Sequence, residues 1–216
     1  MANGSAKGQA VSQHPVRSKQ LAGFLEGIAR DDKNAQEATL FKLFLWQGRT
    51  LWGMMLREEQ CLIDYLQTRP EVDPERIGAT GMSMGCTRSW WLAAIDERIK
   101  AIVGVCCFTR YTELIAHGNI RAHGIFYFVP RVLTHFDTEA IYALVAPRPM
   151  LMLSGDQDGG APTDGVVTLE QKLGAVYRLH GKPDHFRSVI YQNTGHEYLP
   201  EMKQERCVGS NGTCQS

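Results

Sequence analysis

The stretch Ile77-Gly78-Ala79-Thr80-Gly81-Met82-Ser83-Met84-Gly85-Cys86 decides the fold. A short strand over residues 77–80 runs into Gly-x-Ser-x-Gly, and residues 86–95 then carry a helical pattern. A serine on a sharp turn between a strand and a helix is lifted clear of a sheet edge, where it can act as a nucleophile. The two glycines have a steric task, because such a reversal brings neighbouring backbones too close for side chains. At a helix start the free amides and the helix dipole favour negative charge, so the Met84 N–H is the expected oxyanion donor for chemistry at Ser83.

Downstream, residues 99–107 form an apolar run flanked by charge, as a strand buried on both faces requires. Residues 111–117 read as a helix, 118–134 as an aromatic-rich irregular segment, and 137–144 as a short helix ending at Ala146-Pro147-Arg148-Pro149. A strand over 150–154, a helix over 166–180 and a last strand over 186–192 follow. Upstream, residues 34–67 are helical, with Gly48 and Gly53 leaving two helices or one bent helix open, and 68–76 form a proline-bearing loop. Alternating strands and helices imply an α/β fold, a three-layer αβα sandwich on a mostly parallel sheet. The expected organisation is a flexible segment over 1–33, one folded domain over 34–204 and a polar tail over 205–216.

The 216 residues suit one domain, which buries about 70% of the surface of its unfolded chain. Lys and Arg number 23 and so do Asp and Glu, so no net field attracts nucleic acid or an anionic membrane; the expected partner is a small molecule. The first residues lack the apolar run of a secretory signal or membrane anchor, and nothing in the sequence assigns a compartment. Six cysteines show neither metal-ligand spacing nor the density of a disulfide scaffold. Cys106 and Cys107, inside the apolar run, read as buried thiols on opposite faces of a strand, which disfavours a bridge between them.

A serine hydroxyl needs a base, and the base needs a carboxylate to fix its tautomer. The turn Gly155-Asp156-Gln157-Asp158-Gly159 follows the strand 150–154, at the edge where α/β sheets collect their catalytic groups. Asp158 is the favoured acid; Asp156 reads as a turn or cap residue and Asp164 as the N-cap of the next helix. His196, in Thr194-Gly195-His196 after the last strand, is the favoured base. His117, His123 and His135 precede the acid and break the Ser, Asp, His order, while His180 and His185 fall at a helix end and in a loop.

These motifs, with Asp64 to Gly78, Leu92 to Lys100 and Ala146 to Pro149, resemble the acetyl xylan esterase and dienelactone hydrolase-like group of α/β-hydrolases over roughly residues 36–204. The resemblance implies hydrolysis of carboxylic esters without metal or organic cofactor, with Ser83, Asp158 and His196 as triad and Met84 at the oxyanion hole. It departs in three places. Cys86 stands where members carry glycine. No strands precede the helical region, so there is no second oxyanion donor, a loss of ~3 kcal/mol in transition-state stabilisation. Residues 201–216 form a polar tail rather than a covering helix.

The leading expectation is therefore a partial α/β-hydrolase domain that cleaves acetyl or similar small acyl esters. Two alternatives stay open. The chain is a weakly active or non-catalytic remnant that self-associates through an exposed sheet edge, or it is a peptidase or acyltransferase on the same fold. The aromatic run Ile125 to Pro130 is expected to serve core packing ahead of lining a pocket.

Overall fold

The computed structural model describes residues 33–208; the expected flexible segment up to residue 32 and the tail beyond 208 lie outside them. Two helices open this part, α1 (Lys33–Trp46) and α2 (Leu51–Leu66). Gly48 at φ 67 separates them, and the Thr50 hydroxyl caps α2 by accepting the Gly53 N–H at 2.9 Å. Then come β1 (Gly78–Met82), α3 (Met84–Ile95), β2 (Ala101–Val105), α4 (Tyr111–Ala116), α5 (Thr138–Ala143), β3 (Met150–Gly155), α6 (Thr163–Leu179), β4 (Phe186–Tyr191) and α7 (Pro200–Val208).

The strands lie in the order β1-β2-β3-β4 and every pair is parallel. Successive strand residues face opposite ways, and the core divides accordingly. Ile102, Met150 and Met152 join the larger cluster beneath α2, α3, α5 and α6, with Trp52, Trp90, Leu169 and Tyr177. Val105, Leu151 and Leu153 join a smaller cluster on the opposite face with Met202. This is the αβα layering that the alternating pattern predicts, and β3, buried along its whole length, is its centre.

Three boundaries differ from expectation. The strand read over 99–107 ends at Val105, and Cys106 and Cys107 both turn into the left-handed region at φ 57 and 61; neither is on a strand, although both are buried and free. Helix α6 starts at Thr163 with Pro162 at its N-cap position, so Asp164 sits inside the first turn instead of capping it. The carboxyl end is not a bare polar tail: α7 covers the smaller cluster, anchored by the completely buried Met202. One apolar anchor among polar residues leaves too weak a periodic signal to read as a helix.

Among the described residues β1 pairs only with β2, so its other edge carries no strand. No helix among them is long and apolar enough to cross a membrane.

Arg148, in the proline-flanked turn before β3, ties two helix ends to the sheet. Its guanidinium donates to Ala93 O at 2.6 Å and Asp96 O at 3.1 Å at the end of α3, and to Leu144 O and Val145 O, both at 3.1 Å, after α5. A further bond reaches Ile99 O at 2.7 Å. The last carbonyls of a helix have no intrahelical donor, and a planar fork serves several of them at once where an ammonium cannot. Arg148→Ala is expected to cost roughly 3 kcal/mol in urea unfolding, with Arg148→Lys restoring only part of it.

Candidate active site

Ser83 occupies the turn between β1 and α3 at φ 56, ψ −120, a backbone conformation that costs a non-glycine residue about 1–3 kcal/mol. Its N–H donates to Val105 O at 2.9 Å, and its carbonyl accepts the Thr87 N–H at 3.0 Å. Both ends of the turn are thus held by regular structure. The Met84 N–H opens α3, where amides lack intrahelical acceptors.

The two glycines of the turn are not equivalent. A Cβ on Gly81 falls 2.3 Å from the Gly85 carbonyl carbon, whereas one on Gly85 meets nothing within 4 Å. Only Gly81 is sterically required, which corrects the symmetric expectation. Cys86, the departure from the resembled family, does not crowd the turn: its side chain is completely buried against β2 at Gly104.

The carboxylates at the end of β3 divide their work. Asp156 Oδ1 accepts the Thr194 N–H at 3.0 Å, and the Gln157 N–H donates to Thr194 O at 2.8 Å, so this turn grips the loop after β4. Gly155 permits the grip, since a Cβ there would lie 2.2 Å from Thr194 O. Asp158 is buried; its Oδ1 accepts the Gly160 N–H at 2.8 Å, and its Oδ2 lies 2.9 Å from His196 Nδ1. With Nδ1 donating to the carboxylate, Nε2 is the nitrogen left to accept a proton.

Ser83, Met84, Asp158 and His196 line one cavity of ≈ 460 Å³, within the size range of small-molecule sites. Phe126 and Tyr127 form another part of its wall, and both also pack with the larger core cluster, so the aromatic segment serves core and pocket together. The Cys107 thiol faces the same space. Burial and the Asp158 charge push its pKa up to about 11, partly offset by the Ser83 and Thr87 hydroxyls.

His123 also lines this cavity, and the order of residues along the chain hid it. Its ring stands edge-on to Tyr127 with centroids 5.4 Å apart, and burial lowers its pKa, partly offset by the Gly160 backbone and the Asp158 charge. The signal in the sequence was His123-Gly124 at the mouth of an aromatic run, a ring placed where few residues can otherwise be polar. His117 instead pairs with Asp164 at 3.0 Å on the surface, His185 Nδ1 bonds Pro147 O at 2.8 Å, and His180 ends α6.

Residues 21–206 match the model of the dienelactone hydrolase family. The chain belongs to that family. The chain is similar to "Putative hydrolase YtaP" of Bacillus subtilis, 41% identical over 175 residues that make up 81% of this chain and 58% of that protein. "Carbohydrate esterase MZ0003" from an unknown prokaryotic organism is 27% identical over 63% of this chain and 34% of its own length. Among solved structures, a glucuronoyl esterase from Solibacter usitatus aligns with a TM-score of 0.60 at 17% identity, over 73% of this chain and 48% of that one. A putative acetyl xylan esterase from Bacteroides fragilis aligns at 0.54 and 23% identity, over 76% and 44%. The two structures share the fold, and the chain spans 58% of the Bacillus protein's length and less than half of either structure.

The asymmetry of the turn is testable by thermal or urea unfolding. Gly85→Ala is expected to be neutral or to stabilise by up to about 1 kcal/mol, because alanine is the better helix former. Gly81→Ala is expected to cost several times that, on the order of 3 kcal/mol, because backbone must move.

Proposed function

We propose that the chain is a serine hydrolase of carboxylic esters with small acyl groups, such as acetyl esters. The observation that carries the reading is the 2.9 Å hydrogen bond between the buried Asp158 and the solvent-facing His196 at the rim of the cavity that also holds the strained Ser83. In this mechanism His196 Nε2 takes the proton from Ser83 Oγ as the oxygen attacks the ester carbonyl. The Met84 N–H donates a hydrogen bond to the oxyanion and stabilises its charge, and the protonated ring then gives its proton to the leaving alcohol. Asp158 holds the ring in the tautomer that leaves Nε2 free and stabilises the imidazolium. Water repeats the sequence on the acyl-enzyme. The carbohydrate esterase among the relatives, together with Thr87, Asn119 and His123 in the cavity wall, favours an ester carried on a sugar.

A second reading rests on β1, whose outer edge has no strand among the described residues: the edge pairs with a second copy and the chain serves as an interaction module. Gel filtration separates it from the first, since a monomer that hydrolyses esters excludes it.

Hydrolysis of 4-nitrophenyl acetate is the direct assay. Ser83→Ala is expected to lose at least about a thousandfold in kcat, and Asp158→Asn about ten-thousandfold. Asp156→Asn, which keeps an oxygen for the Thr194 N–H, is expected to lose far less. Equal rates for wild type and Ser83→Ala reject the mechanism.

A further inference from the structure

Behind the Asp158–His196 pair lies a third ligating group that the proposed hydrolysis does not use. Cys106, the first residue after β2, Asp158, after β3, and His196, after β4, each bring one ligand atom within 4.8 Å of the other two. They come from three different loops of one sheet edge, and hydrogen bonds between those loops hold them together. Cys106 is completely buried at φ 57, and its thiol donates to Glu197 O at 3.6 Å, so the sulfur sits beneath the histidine loop.

The donor set and spacing select an ion. His196 Nδ1 and Asp158 Oδ2 are 2.9 Å apart across their hydrogen bond, and tetrahedral bonds of about 2.0–2.2 Å span about 3.4 Å, so a cation that replaces the shared proton needs this pair to open by only about 0.5 Å, while a thiolate adds a third bond of about 2.3 Å. One imidazole nitrogen, one carboxylate oxygen and one sulfur suit a borderline-soft divalent cation such as Zn²⁺, while Mg²⁺ and Ca²⁺ take oxygen shells. Two of the donors are buried; the His196 side chain, 43% exposed, is the side open to solvent.

We propose that Cys106, Asp158 and His196 form an inhibitory binding site for Zn²⁺ or a similar thiophilic divalent cation. Binding forms bonds from the metal to sulfur, nitrogen and oxygen, with water completing the shell. The thiol proton leaves to solvent, and the proton on Nδ1 moves to Nε2, so the ring stays neutral and no oxidation state changes. Thiolate and carboxylate together neutralise the ion's charge. A ring held with its proton on Nε2 has no lone pair to accept one from Ser83, so the occupied protein does not hydrolyse esters. The inhibitory part of the proposal rests on the mechanism given above; the site itself does not.

Two measurements on the full chain keep them apart. Titration with Co²⁺ is expected to produce a thiolate-to-cobalt charge-transfer band in wild type, in Ser83→Ala and in Cys61→Ala, and none in Cys106→Ala or Cys106→Ser, all checked for folding by circular dichroism. In parallel, Zn²⁺ is expected to inhibit 4-nitrophenyl acetate hydrolysis reversibly, with chelator restoring the rate. In the Cys106 variants, each referred to its own metal-free rate, half-inhibition should shift upward by at least the roughly tenfold that loss of even an outer partner of a metal ligand costs. A band that persists in both folded Cys106 variants, or no band in wild type, overturns the site. Equal zinc sensitivity with and without Cys106 overturns the inhibition. Absence of any hydrolysis by metal-free wild type removes the esterase reading and leaves the cobalt result to decide the site.

Discussion

The parallel register of four strands is the constraint from which the rest follows. Because every strand runs the same way, Met82, Val105, Gly155 and Tyr191 end at one edge of the sheet, and the loops that leave them have to share that edge. Ser83, Cys106, Cys107, Asp158 and His196 all lie just past a strand end. Pairing of the strands brings their loops together, and the burial of β3 on both faces favours that pairing.

Strain marks the same edge. Of the five non-glycine residues with positive φ among the described residues, four follow a strand there: Ser83, Cys106, Cys107 and Asn193. Each costs about 1–3 kcal/mol in isolation, and each is fixed by neighbours that the rest of the fold supplies, such as the Ser83 N–H bond to Val105 O and the Cys106 N–H bond to Leu153 O. Strain kept in several adjacent turns, where a single loop would suffice to connect the elements, is what a site that must hold particular groups in place requires. The division of labour between Asp156 and Asp158 has the same character: one carboxylate fixes the backbone of a loop so that the other can address a side chain on it.

The sequence made the strand–turn–helix around Ser83 legible because it combines a local steric rule with a change of hydrophobic period. The parallel sheet was legible because its inner strands are continuous apolar runs between charged residues. What it hid has physical reasons. Cys106 and Cys107 continue the apolar run of β2, and nothing in their side chains announces that the backbone turns left-handed there. Gly85 looks like Gly81 in one dimension, yet only one of them faces another backbone. His123 enters the cavity from a segment without periodicity, so the reading by chain order passed it over. Helix α7 is held by Met202 beneath an otherwise polar surface, too few apolar residues to form a stripe.

Mass-spectrometric mapping of a fluorophosphonate adduct tests the central claim most directly, because such a probe reports an activated hydroxyl whatever the natural substrate. The account predicts a single adduct on the peptide containing Ser83, lost when His196 is replaced by alanine in a protein that still folds. An unlabelled wild type, or an adduct on any other serine, contradicts it.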